Sequence, residues 1–256
     1  GPFFSTYLES CWLLHLALAL DLLERGATEP EGHARDGPAL GAGVRERLLA
    51  PSATRIASFP EGRSNRQAWH VAARLAAARL LGEDRAAADA VHGADGLAAL
   101  LREALAPDGR WYEGEHYHQF AHRGLWYGVI LAEGAGLAPD AALVRRFDRG
   151  FVVPFDTMLP DGTAPARRDA RYAVSLRQWR WAEWAEVGRA RARAAGDHAT
   201  AATLDRGLAM LYAADAAPPG DCGRWRATGE AEREEAPVRL GREVLGWKAL
   251  LAADPA

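Results

Sequence analysis

Lysine is almost missing from this chain: of 31 basic residues only Lys248 is lysine, and the others are arginine. With the heavy use of alanine, this looks like the bias of a GC-rich genome. The arginine count is therefore weak evidence for a polyanion-binding surface. A basic excess is lacking too. Acidic residues outnumber basic ones by 34 to 31, and the formal net charge of −3 argues against a nucleic-acid partner. Cysteine is scarce: Cys11 and Cys222 are far apart and form no metal-ligand pair. They read as two thiols in preference to one disulfide. No long uninterrupted apolar run is present. CWLLHLALALDLL comes nearest, but Glu9 and Asp21 bracket it too tightly for a span of about 20 residues. No export signal is visible. The chain opens on Gly1-Pro2, the form of a tag remnant, without an initiator methionine, so the missing leader decides nothing. Strand-like alternation is also scarce.

What remains is helical. Hydrophobic residues make up 49% and charged residues 25% of 256, the balance of an ordinary globular chain that can bury one core. The whole of 1–256 is expected to form a single helical domain. Apolar spacing predicts helices over Tyr7 to Leu23, Val44 to Leu49 (stopped by Pro51), Asn65 to Leu81 and Arg85 to Leu105, the last broken near Gly93 to Gly96. Further helices are expected over Tyr117 to Glu133, Asp140 to Arg149, Ser175 to Ala195, His198 to Ala214 and Val244 to Ala252. The Asn65 helix carries Trp69, Ala72, Ala73, Ala76 and Leu80 at helical spacing, and its alanines allow close approach of a neighbour. Helix pairs recurring along the chain suggest hairpins packed side by side. Phe151 to Tyr172 and Ala217 to Leu240 are long irregular segments, which are usually functional or mobile.

One stretch concentrates chemistry. Between the turn Asp108-Gly109 and a predicted helix lie Trp111, Tyr112, Glu113, His116, Tyr117 and His118. Aromatic rings stack on apolar sugar faces, while polar tips hold hydroxyls and carboxylates. Core packing of Trp111 and Tyr112, with Glu113 favouring a helix start, explains the composition equally well.

The order of the motifs favours the first reading. The pattern D-G-x-x-Y-E-G-x-x-Y-H, preceded by Ser64-Asn65 and Trp69, resembles the heparinase II/III and oligoalginate lyase families of polysaccharide lyases. The run Leu159-Pro160-Asp161-Gly162-Thr163, with Pro165 and Asp169, resembles a loop of the same enzymes. So do the opening helix with Trp12 and the Pro51 region. The resemblance implies an all-α incomplete (α/α) toroid of antiparallel hairpins. It also implies that the chain is a fragment, without the C-terminal β-sandwich that contributes histidines and sometimes zinc. No cofactor is expected here. The implied partner is an acidic polysaccharide or oligosaccharide, with no nucleic acid and no membrane, and a secreted or periplasmic location.

The chemistry implied is β-elimination. A base removes the C5 proton of a uronic acid and the 4-O leaving group departs, leaving an unsaturated sugar. Neutralising the carboxylate makes the developing enolate tolerable. By resemblance, Asn65 supplies the neutralising amide and Tyr117 is the catalytic tyrosine. A tyrosine titrates near 10 and needs help to act as base, but as a phenol it suits protonation of the leaving oxygen. Substrate contacts are expected from His116, His118, Glu113, Tyr112, Trp69, Arg66 and Arg171, with Gln67 and Arg123 as further candidates. Arg66 and Arg171 carry the fork that matches carboxylates.

Several residues have plainer readings. His70 lies about 500° around the helix from Asn65 and reads as structural. His118 and His122 are spaced i, i+4, but no third ligand follows, so a metal is disfavoured. His15 reads as core; His33, His92 and His198 read as solvated. The tryptophans near Gln178 to Trp184 read as packing, and Arg224 and Trp225 have no reading. Two other functions stay open. A toroid glycoside hydrolase would use Glu113 with Asp161 or Asp169 as its carboxylates. A non-catalytic carbohydrate-binding module would turn nothing over. Elimination, unlike hydrolysis, creates a conjugated double bond absorbing in the near ultraviolet.

Overall fold

The computed structural model describes residues 5–26, 37–168 and 171–213. These are mostly helical, as the apolar spacing predicts. They group into two compact units, one formed by Gly1–Leu105 with Phe120–Val144, the other by Ala106–Gln119 with Arg145–Ala256. The predicted Val244 to Ala252 helix, the Ala217 to Leu240 segment, His33, Asp169, Cys222, Arg224, Trp225 and Lys248 lie outside the described residues.

In the first unit, α1 (Thr6–Gly26), α2 (Gly37–Val44) and α3 (Ala50–Ala57) precede α4 (Asn65–Leu81). Then come α5 (Asp84–His92), α6 (Leu97–Glu103) and most of α7 (Glu115–Gly134). Helix α4 has the bounds its sequence predicts, because both ends are capped. Ser64 Oγ accepts from the Gln67 N–H at 3.3 Å, and Gly82 turns left-handed at φ +70°. Its residues are buried nearly all round, from Asn65 to Ala78, as expected of a helix enclosed by neighbours. It packs against α1, α3, α5 and α6. Its small residues also admit α7: a Cβ on Gly124 would meet the Ala68 Cβ at 3.0 Å.

Pro51 does not stop the helix it was expected to end. Arg45–Leu49 forms a single π turn, with the Ala50 N–H reaching back to the Arg45 carbonyl. Pro51 then sits in the first turn of α3, where its missing N–H costs least. Helix α1 is long and apolar enough by composition to cross a membrane, its best window having a mean hydropathy of 1.3. Its Leu13, Leu14, Ala17 and Leu20 are nevertheless buried, as in a core helix. Glu9, expected to limit the apolar run, is itself buried, 3.4 Å from Arg55 Nε. His15 is exposed, against the expectation of a core residue, with Nδ1 2.7 Å from the Cys11 carbonyl. Cys11 is a free, half-buried thiol that burial pushes up to about 11.

The second unit contains the first turn of α7, the end of α8 (Ala141–Arg149), α9 (Val153–Thr157), α10 (Trp179–Ala194) and α11 (His198–Tyr212). Helices α10 and α11 pack as a hairpin. Phe147, Phe151 and Trp184 form its aromatic core, with successive ring centroids 5.4 and 5.0 Å apart. The segment expected to be irregular is partly ordered. Leu159 to Thr163 makes a turn that leads into a two-residue strand, β1 (Thr163–Ala164), paired antiparallel with β2 (Val174–Ser175). Ser175 thus belongs to a strand, and the helix expected from it starts at Trp179.

Close packing leaves no room at Gly188, where a Cβ would lie 2.5 Å from Phe151 Cγ. Gly188→Ala is therefore expected to destabilise the protein by about 1–3 kcal/mol. Guanidinium unfolding followed by tryptophan fluorescence should show the loss, and an unchanged midpoint would contradict this packing.

Candidate functional site

The site grows from the loop that enters α7. Gly109 adopts φ +88°, and a Cβ there would strike the Gly150 nitrogen at 2.5 Å, so the Asp108-Gly109 turn needs its glycine. Asp108 Oδ1 accepts from the Arg110 N–H at 3.0 Å, closing the turn. Trp111 follows, fully buried, its Nε1–H donating to Glu113 Oε2 at 2.7 Å. Glu113 therefore holds the loop together through a side-chain hydrogen bond.

His118 fixes the other end. Its Nδ1 accepts from the Trp111 N–H at 3.1 Å, and its Nε2 lies 2.8 Å from the Gly150 carbonyl. The proton therefore resides on Nε2. The ring is buried. That corrects the expectation of a substrate contact: His118 ties two backbone segments together and has almost no surface to offer a sugar.

Between these anchors the chain presents two neighbours. Tyr117 is half-buried in the first turn of α7, and His116 is exposed beside it, the rings edge to face at 5.3 Å. Tyr112 is exposed, stacked at a tilt on Trp111 at 5.5 Å. Glu115 is buried and ion-paired with Arg167. A small cleft adjoins, lined by residues that include Glu115, His116, Gln119, Arg171, Arg180 and Trp181. Gln119 Nε2 donates to the Arg180 carbonyl at 2.8 Å, which fixes the amide at the edge of the cleft. Trp181 is buried, with its Nε1–H lacking a hydrogen-bond partner. The second unit thus brings together Tyr112, Glu113, His116, Tyr117, His118 and Arg171. Trp181 and Trp184 are packed inside it, whereas Trp179 is half-exposed.

Asn65, Arg66 and Trp69 belong to the first unit. Asn65 is buried at the first position of α4. Arg66 is exposed, 3.7 Å from Glu61. Trp69 is buried between Phe120 and Tyr127, at 5.4 and 6.0 Å, which makes it a core residue and corrects its expected role in binding. Gln67 is also corrected. Its buried amide accepts from the Glu61 N–H at 2.9 Å and donates to the Asp95 carbonyl at 2.8 Å. His70 is buried, 3.8 Å from Glu61 Oε1. Burial, helped by the charges of Arg74 and Arg66, pushes it down to about 4.

Glu115, Gln119, Arg167 and Arg180 were not legible as site residues. Glu115 looks like any acidic residue in a helical first turn, and single arginines mean little in so arginine-rich a chain. Among the described residues, no group of three or more His, Cys, Asp or Glu is placed to hold a metal ion.

His118 is held down to about 4, chiefly by burial, below its ordinary value of 6.5. Between those values the unfolded chain binds protons that the folded chain does not. His118 and His70 should therefore make stability fall as pH drops from about 6.5 to about 4, with no further loss from them below that. Urea midpoints measured across this range should show the fall, and His118→Gln should flatten it. An equal slope in that variant would remove His118 from the account. No family model matches the chain, and no curated protein sequence matches it.

Proposed function

We propose that this chain is the helical part of a lyase that cleaves a uronic-acid glycan by β-elimination, built as an incomplete (α/α) toroid. Tyr117 removes the C5 proton and, as a phenol, returns a proton to the departing O4. Asn65 donates hydrogen bonds to the uronate carboxylate, so that charge spreading from C5 into it is tolerated. The bond from C4 to O4 breaks as the C4–C5 double bond forms.

The observation that carries this reading is the way Tyr117 is presented. The motif that resembles these lyases folds as a tightly anchored loop, with Tyr117 and the exposed His116 at its end. A cleft bordered by Arg171 and Arg180 lies alongside. Guanidinium groups there favour an anionic substrate.

The hydrolase reading is disfavoured by what its carboxylates do. Glu113 accepts from Trp111. Asp161 Oδ1 accepts from the Thr163 N–H and hydroxyl, at 3.0 and 2.6 Å, and these bonds hold its carboxyl below the usual range. A carboxyl that is easily ionised and committed to a turn is a poor general acid.

Full-length protein should be incubated with alginate, heparan sulfate and hyaluronan while near-ultraviolet absorbance is followed. One of these polymers is expected to yield the unsaturated product. Tyr117→Phe should lower the rate by about 10²-fold or more with unaltered melting. Asn65→Ala should lower turnover by about 10²-fold. Wild-type turnover in Tyr117→Phe would remove Tyr117 from the chemistry, and reducing ends released without absorbance would replace elimination by hydrolysis.

A further inference from the structure

A second, larger cavity lies within the second unit and shares Glu115 with the cleft described above. Its lining includes Arg110, Arg167, Arg168, Tyr112 and Gly114. Three guanidinium groups thus meet at this cavity, against Glu115 in its lining and Asp108 beside Arg110. Their commitments differ. Arg167 is tied to Glu115 through Oε1. Arg110 reaches Asp108 through Nη2 at 3.3 Å, but its Nε is buried without a hydrogen-bond partner. Arg168 is exposed and sits at φ +57°, in the left-handed region that a non-glycine residue avoids unless its surroundings hold it there.

The loop is held in that place by contact. Gly114 adopts φ +104°, and a Cβ on it would lie 2.4 Å from the Arg167 carbonyl oxygen. The 167–168 backbone therefore rests directly on the aromatic loop. Tyr112 offers a half-exposed ring at the same cavity. Burial and the charge of Glu113 raise its phenol pKa while the charge of Arg168 opposes them, so Arg168 and the phenol feel each other. Glu115 spends its Oε1 on Arg167, so it leaves Arg110 and Arg168 unneutralised by its charge.

We infer that this cavity binds one anionic sugar residue of a glycan, at a subsite separate from Tyr117. Arg110 and Arg168 take its carboxylate or sulfate, and Tyr112 stacks on the ring. A simple anion would explain the arginines but not the exposed aromatic face of Tyr112. A neutral sugar would explain that face but leave the guanidiniums idle. The inference rests on the lyase reading only in taking the anion to be part of a glycan.

Calorimetric titration of full-length protein tests it, using an alginate tetrasaccharide, a heparin tetrasaccharide and neutral cellotetraose. At least one anionic tetrasaccharide should bind, more weakly as salt rises, and cellotetraose should not. Alginate alone would identify carboxylate as the anion; heparin alone would identify sulfate. Arg168→Gln and Arg110→Gln should each raise Kd about tenfold with unaltered melting. Arg168→Lys should recover part of the loss. Binding of neither anionic probe, equal binding of cellotetraose, or variants that bind like wild type would overturn the proposal. Elimination is recorded on the same samples. Arginine-dependent binding without any elimination keeps this subsite and rejects the lyase. Elimination with KM unchanged in both glutamine variants does the reverse.

Discussion

The candidate site depends on one buried imidazole. His118 accepts from the Trp111 N–H and bonds to the carbonyl of Gly150, 32 residues further along the chain, joining two distant backbone segments. Both partners are buried main-chain groups that would otherwise cost free energy by going unpaired. The ring that satisfies them must stay neutral, and its burial ensures that. Everything between Trp111 and His118, including Tyr117, is therefore held at both ends. A loop free to explore its conformations would not hold these side chains in one orientation.

Around that post the second unit is assembled from close contacts at glycines, two against backbone and two against phenylalanine rings. Gly109 meets Gly150, Gly114 meets Arg167, Gly188 meets Phe151 and Gly207 meets Phe155. Each contact replaces a side chain by a neighbouring segment. The ion pair of Glu115 with Arg167 works in the same direction, tying the start of α7 to the segment after β1. It is half-exposed on the arginine side, so its worth lies in positioning more than in stability.

Local signals made much of the fold legible. The caps of α4 are written in Ser64 and Gly82, and the break at Gly93 to Gly96 falls where α5 ends and α6 begins. Pro51 misled because a proline forbids one hydrogen bond, not a helix, and a π turn before it moves the bond elsewhere. The hairpin of β1 and β2 escaped because two-residue strands show no alternation. In the site, Tyr117 and the loop around it were visible as a motif. The role of His118 was not, since its i, i+4 relation to His122 invites a metal while its real partners are distant backbone atoms. Trp69 and Gln67 misled in the opposite sense: chemically apt side chains, spent on the core and on a loop. Arg167 and Arg168 were hidden by the abundance of arginine, and only a shared cavity distinguishes them from the rest.

The missing methyl at Gly114 has a consequence for how such a site can change. Because the Arg167 carbonyl occupies the volume a side chain would need, the aromatic loop and the arginine segment cannot drift independently. A substitution at Arg168 or Tyr112 alters the charge or the ring displayed there and leaves that joint untouched, whereas a side chain at position 114 would force the two segments apart.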